Sequence, residues 1–551
     1  MNADAEGLTR RALLASAVAL PLAGCGRGAQ QSAYIGGWVG ANVDRGHRLR
    51  EPKSGALPVP DVQRRAGAII VGAGISGLAA ARALMHAGVD DVHVFDLEDE
   101  AGGNSRGHSI AGMACPLGAH YLPVPGEPAV EVIELLDSLG LRRTGTGQAR
   151  GGVIYDERHL CHSPQERLFI DGHWVDGLLP PIDALPAAER ADTLAQYRAF
   201  ASLVERHAAH GAFAMPTARS RWSPALDALD AVAFAPWLAG QSITASALRW
   251  YLDYCCRDDY GAGAAQVSAW AGLHYFASRH GFHAPGESSE DRDGVLTWPE
   301  GNAWLSRRMA QPLRERLHTG AVVLRVSEGR FDVGVDVWHA ATQRIERWTA
   351  PQVVLAVPLF VAARLLETPP ESLLQATAAM RHAPWLVGNL HLTDALVDHP
   401  GAPPSWDNVI YDPGAAQPSL GYVDAMHQST RSVPGPTVLT AYWALGGDSA
   451  AQGQAQRARL LNEPWSVWAQ AVVAEVARAH PDLPGKLKQV DLMRYGHAMS
   501  IPVPGVRSGA ALRALAEPQR RVHFAHSDLS GYSVFEEALY HGVRGGKAAR
   551  G

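Results

Sequence analysis

Gly72-Ala73-Gly74-Ile75-Ser76-Gly77 stands between a short apolar run, Ala66 to Val71, and a segment of helical periodicity, Ile75 to His86. Glycines at this spacing permit a tight turn, let a backbone reach a pyrophosphate and let helix and strand pack closely. The helix N-terminus adds partial positive charge through its free amides. Gly72, Gly74, Ile75, Ser76 and Gly77 are therefore candidate phosphate-binding positions. Asp96 follows a second apolar run, Asp91 to Phe95, where a carboxylate can accept hydrogen bonds from an adenosine ribose. Strand, glycine turn, helix, strand and acid in this order make a dinucleotide-binding βαβ unit, a far more specific signal than the glycines alone.

Other chemistry-bearing residues are sparse. Lys53, Lys486, Lys488 and Lys547 are the only lysines. Beyond Cys25, the cysteines are Cys115, Cys161, Cys255 and Cys256, without a C-x-x-C pair or a His at zinc spacing, so no metal site is expected and buried free thiols are the default. His497, in Arg494-Tyr495-Gly496-His497-Ala498-Met499, carries an imidazole that can act as acid or base near neutral pH. Tyr495 and Tyr532 are candidate pocket-lining residues.

These residues need elements to hold them. The 551 residues are 47% hydrophobic with a net charge of −6, enough for more than one core. No Lys/Arg stripe points to nucleic acid. After the first βαβ unit, the same style returns twice. A helix over Trp304 to Leu317 precedes alternating runs at Ala321 to Val326 and Phe331 to Trp338 and a buried run at Gln352 to Pro358. Near the end, a strand at Arg521 to Ala525 precedes a helix over Val534 to Gly546. Between them lie aromatic-rich helices, Pro-rich turns and polar loops. The expected fold is α/β: a Rossmann-like dinucleotide-binding domain (66–150, 295–365, 501–551) with an interleaved α+β substrate domain (151–294, 366–500). Residues 26–65 read as a tether or extended arm.

FAD, rather than another dinucleotide, comes from a resemblance. Glu98 to Gly107 (EDEAGGNSRG), Leu117 to Tyr121 (LGAHY), Thr297 to Gly301 with Val323, Val326 and Val353 to Pro358, and Phe524 to Asp528 with Glu536, Glu537, Ala538 and Gly542 occur in the order found in flavin-containing amine oxidases. The chain resembles that family over most of its length outside the substrate segments. The resemblance implies non-covalent FAD held by Gly72, Gly74 and Gly77 at the pyrophosphate, Asp96 at the ribose, Gly102 and Gly103 on the phosphate side and Val323 at the adenine. Gly118, Ala119 and His120 would face the flavin, and Asp528 would meet the ribityl or phosphate end. A helix starting near Val534 and Phe535 would aim its amides at the isoalloxazine. The family's Arg after the paired glycines is Asn104 here, so a phosphate contact shifts to Arg106 or is lost. Its active-site lysine, expected on Pro384 to Leu392, is missing, and its paired tyrosines fall on Val534 or Phe535 and on Ala498 or Met499.

The implied activity is hydride transfer to FAD from a C–H next to nitrogen in a small amine-like substrate, with oxygen or a quinone as final acceptor and His497 as the cation available near the flavin when protonated. A C–C desaturase or isomerase of the carotenoid or porphyrinogen type shares the same FAD motifs, and a non-catalytic envelope flavoprotein is the alternative from another class. Arg10-Arg11 before the apolar run Ala12 to Leu22 resembles a twin-arginine signal, and Leu22-Ala23-Gly24-Cys25 resembles a lipobox. The expected location is the periplasm, with membrane contact through lipidated Cys25.

Overall fold

The computed structural model describes residues 34–50, 59–145, 152–279, 281–284, 294–414, 419–429, 431, 433–517 and 519–550. The twin-arginine pair and Cys25 lie outside these residues.

Short, mostly buried runs rich in β-branched and aliphatic residues build the first sheet. Ala68–Val71 lies at its centre, flanked by Val92–Phe95 and Val353–Leu355, with Leu317–His318 and Val522–Phe524 at the edges, and every pairing is parallel. A parallel sheet buried on both faces has no polar side to alternate with, which is why these strands read as unbroken apolar runs. Helices Ile75–His86 and Phe535–Ala548 pack on each other so closely that a Cβ added at Gly542 would overlap the Ser76 carbonyl. This is the Rossmann-like layer, and its strands come from three separated chain segments, as the sequence implies.

A second layer is an eight-stranded sheet in which Leu487–Ile501 and Arg381–Leu392 pair antiparallel, followed by Thr437–Ala444, Ser419–Asp424, Asp407–Ile410, Glu166–Ile170 and His173–Asp176. Sequence patterning under-reads this sheet. All residues of Thr437–Ala444 are buried, so the two-residue alternation of a half-exposed strand is absent. Helices Ala450–Asn462 and Trp465–Ala479 lie on this sheet, and Ser246–Tyr260 and Ala269–Ala277 belong to a helical group beside it.

The stretch read as a tether or arm is folded against the body where it is described. Ile35–Trp38 adds a parallel strand to the free edge of Leu487–Ile501, and Val62–Arg65 extends the sheet of Ala321–Glu328, Val333–His339 and Arg344–Ala350. Gly36 allows this docking: its φ is +148°, and a Cβ would overlap the Val490 carbonyl.

Candidate active site

One cavity of about 810 Å3 runs between the two layers. Its first part is the glycine turn. Gly72 has φ +99°, open to glycine and strained for other residues, and it sits against the Ala356 carbonyl. Helix Ile75–His86 begins at Gly74 without a side-chain cap, so its first amides are free for an anion. Gly103, with φ +60°, crosses directly over Gly74, a Cβ there lying 3.1 Å from the Gly74 Cα. Ile75, Ser76, Gly102 and Gly103 all line the cavity. Gly77 does not: it lies under the turn, where a Cβ would overlap the Gly72 carbonyl, and its part is close packing of helix on strand.

Asp96 fronts the same groove. It accepts from the Ala73 amide at 2.7 Å and the Glu98 amide at 2.9 Å, which oppose the upward pull of burial on its carboxyl. These amides hold the carboxylate at the strand end where a ribose hydroxyl would be met. Val323 is a buried ladder residue opposite Val337 and is not on the cavity wall.

Asn104 and Arg106 are committed to the protein. Asn104 Nδ2 donates to the Ala498 carbonyl at 2.6 Å, tying the glycine segment to strand Leu487–Ile501. Arg106 is buried and donates from Nε to Gly103 O at 3.0 Å and from Nη1 to Gly40 O at 2.8 Å, with Glu98 3.5 Å away. Glu98 in turn accepts from the Asn42 amide at 3.0 and 3.2 Å, and Arg45 donates to Leu97 O and Asp99. The N-terminal stretch thereby closes over the adenosine end of the groove through contacts that nothing in its own composition signals.

Further along, Gly118, Ala119 and His120 line the cavity. Tyr495 Oη donates to Leu117 O at 2.8 Å and Tyr442 Oη to Gly118 O at 3.1 Å, so two phenols from the large sheet pin this segment. Tyr495 is thus a positioning residue with its polar tip already used. His120 stacks on Tyr442 at 4.3 Å, and burial lowers its pKa to about 3. Val534 and Phe535 also line the cavity, and helix Phe535–Ala548 starts there without a side-chain cap, leaving amides free for a polar ligand atom.

Asp528 lines the cavity too, but its carboxylate is occupied. It accepts from the Leu359 amide at 2.8 Å, at the first turn of helix Leu359–Leu365, and from His382 Nε2 at 3.2 Å. Burial would raise its pKa, yet His526 and His382 hold it well below the usual range.

Two catalytic expectations change. Tyr532 is fully buried, donates to Glu537 at 2.9 Å and packs on Tyr260 and His274, so it belongs to the core and not to the pocket. His497 lines the cavity, but burial and then Arg457, His382 and Arg50 lower its pKa to about 3. It is neutral at physiological pH and cannot supply a cation near the flavin. Lys486, Lys488 and Lys547 do not line the cavity either, and Lys486 is bound to Ala395 O and Asp482.

Sequence reasoning missed the far end of the cavity, where Tyr121, Tyr254, Trp385, Tyr442, Asp258, Asp259, Arg279 and Asp407 converge. Tyr254, Asp258 and Asp259 share helix Ser246–Tyr260, but the others come from separate segments that only the fold brings up to it.

The model of the flavin containing amine oxidoreductases matches residues 75–548. The chain belongs to this family. Similar folds include a redesigned putrescine oxidase (TM-score 0.61, 19% identity, 88% of this chain and 98% of that one). Cyclohexylamine oxidase from Brevibacterium oxydans follows with TM-score 0.60, 20% identity and the same coverage. A CLA-producing fatty acid isomerase from P. acnes shares the fold at TM-score 0.58 and 14% identity, over 87% of this chain and 97% of that one. By sequence, an L-amino acid dehydrogenase of Synechocystis sp. is 26% identical over 313 residues, 55% of this chain and 58% of that protein. The match therefore spans little more than half of that relative's length.

As a member of this family the protein is an FAD-dependent oxidoreductase. The uncapped helix start at Gly74, the Gly74–Gly103 crossing and the Asp96 carboxylate suit a pyrophosphate and ribose. The four described cysteines are buried free thiols.

Proposed function

We propose that the protein oxidises an amine, removing a hydride from the carbon next to nitrogen to leave an imine that water hydrolyses. When bound, FAD supplies the hydride acceptor. The observation that carries this reading is the continuity of the cofactor groove with an aromatic chamber walled by Tyr121, Tyr254, Trp385 and Tyr442 and bearing Asp258 and Asp407. Aromatic faces and carboxylates together attract cations, and the pinned segment Gly118 to His120 stands between chamber and groove. Residues of the chain bind and orient: Gly74 and Gly103 admit the pyrophosphate, Asp96 the ribose, and the chamber walls exclude water from the reacting carbon.

Desaturation or isomerisation of a lipid-like chain is the competing reading, kept by the missing lysine and by the paired-tyrosine positions falling on Val534 or Phe535 and on Ala498 or Met499. The chamber speaks against it, because an apolar chain would leave Asp258 and Asp407 facing it with no partner beyond the Tyr121 hydroxyl and the Asn408 amide. The fatty acid isomerase is related by fold alone. Anaerobic titration of the yellow protein decides between them: primary amines should bleach the flavin within the dead time of hand mixing, and polyunsaturated fatty acids or carotenoid precursors should not. Bleaching by the lipids alone would reverse the assignment. We further propose export by the twin-arginine route, anchoring through Cys25, and a quinone or oxygen as the final acceptor.

A further inference from the structure

The chamber holds more carboxyl groups than its one arginine pairs. Arg279 is bound to Asp259, its Nη2 lying 3.0 Å from both carboxylate oxygens, and its Nη1 donates to Tyr275 O. That leaves Asp258 and Asp407. Asp258 meets only the Tyr121 hydroxyl, at 3.4 Å. Asp407, deep in the protein and on the cavity wall, has no side-chain partner among the described residues, and its carboxylate is met only by the neighbouring Asn408 amide. Tyr254 and Tyr442 complete the wall around them.

We propose that this end of the chamber binds a second cationic nitrogen of the substrate through Asp258 and Asp407, so that the preferred substrates are diamines or amines bearing a distal guanidinium. The inference rests on the amine-oxidation reading and extends it. The held nitrogen cannot be the one that reacts. Hydride loss from carbon is driven by the nitrogen lone pair that becomes the C=N bond, and a nitrogen kept as ammonium between carboxylates has no lone pair to give. The two nitrogens must therefore be different, one held at the carboxylates and one presented at the segment Gly118 to His120. The state of the carboxyls agrees: burial and then Asp259 push Asp258 up to about 7, and burial, Asp258 and Glu166 push Asp407 well above the ordinary range. Such groups await a counter-ion, and a bound cation restores both as carboxylates. The aromatic walls add cation–π attraction at the same place.

The test uses the FAD-loaded full chain under anaerobic conditions, with n-alkylamines and α,ω-diamines of matched length as probes and flavin bleaching as the readout. At least one diamine should show a half-saturation concentration tenfold or more below that of its monoamine. Asp258→Asn and Asp407→Asn should erase that difference, raising the half-saturation concentration of the diamine to that of the monoamine in the same variant. Thermal melting and FAD content of each variant verify that the fold is kept, and the wild-type comparison stands even where a variant fails to fold. Equal half-saturation for monoamine and diamine overturns the proposal and leaves amine oxidation intact. A tenfold fall in the monoamine rate in the Asn variants, with half-saturation unchanged, makes these carboxylates a base for the reacting amine and also overturns it. No bleaching by any amine sinks the proposed function itself.

Discussion

Gly74 and Gly77 stand in the same turn, yet a methyl group meets different fates at them. At Gly77 a Cβ would overlap the Gly72 carbonyl, whereas at Gly74 the nearest atom is the Gly103 Cα, 3.8 Å away. Gly74 is thus open space in the protein and filled space in the holoenzyme, since its amide end is where the pyrophosphate must lie. Gly74→Ala should fold with a melting temperature of the FAD-free protein within a degree or two of the parent and lose most of its FAD. Gly77→Ala should lose ~1–3 kcal/mol of fold stability through overpacking, whatever the FAD concentration. Absorbance at the flavin band together with melting of the stripped proteins separates the two. Full FAD retention in Gly74→Ala would remove this glycine from the cofactor site. Residues of this kind are legible because the motif is local: seven positions of sequence contain the turn, the helix start and the strand end. His497 and Tyr532 were not legible in the same way. One is discharged by burial and then by Arg457, His382 and Arg50, and the other is taken into the core by Glu537, Tyr260 and His274, surroundings that only the tertiary fold brings up.

The N-terminal arm is the element whose part in the site was least expected. Its composition shows no periodicity, and its structure is borrowed from partners: the strand Ile35–Trp38 from the edge of Leu487–Ile501, and the turn at Gly40 to Asn42 from Arg106 and Glu98. Hydrogen bonds to charged groups of this kind contribute about 1.5–3 kcal/mol each. Gly36→Val, placing a side chain against Val490 O at a φ of +148°, should undock the strand and loosen the closure over Glu98 and Arg106. The expected outcome is a faster loss of FAD on dilution, several-fold or more, with the Rossmann-like sheet intact by circular dichroism. An unchanged release rate would make the arm an ornament of the large sheet. The same physical reason hid the centre of that sheet. Thr437–Ala444 is covered on both faces, and a strand without an exposed face leaves no alternation in the sequence.

At the scale of the whole molecule, the order of motifs along the chain was enough to foresee a cofactor layer assembled from three segments with a second layer interleaved, because each segment carries its own buried strand. The charged chamber was not foreseeable, since Asp258, Asp407 and Tyr442 belong to separate elements and acquire meaning only when the two layers enclose them. The position of the arm also bears on how electrons leave. Nine residues lie between Cys25 and Ile35, and the ten steps give a covalent reach of at most about 35 Å when fully extended. If Cys25 is lipidated, the edge of the large sheet stays within that distance of the bilayer. Arg50 and Arg457, on the cavity wall, come from the same arm and from the helix Ala450–Asn462 packed on that sheet. On the proposed lipoprotein reading, a membrane quinone would reach the cavity without a soluble carrier. Cys25→Ala should move the protein from the membrane to the soluble envelope fraction, because the acyl chains that it removes contribute ~0.8 kcal/mol per buried methylene. FAD content and amine-dependent bleaching should be unchanged, since Cys25 lies outside the site. Amine-dependent reduction of a membrane-resident quinone should fall at least tenfold in this variant, while reduction of a water-soluble quinone stays at the parental rate. Equal rates with both acceptors would separate anchoring from electron transfer, and unchanged membrane fractionation of Cys25→Ala would refute the anchor itself.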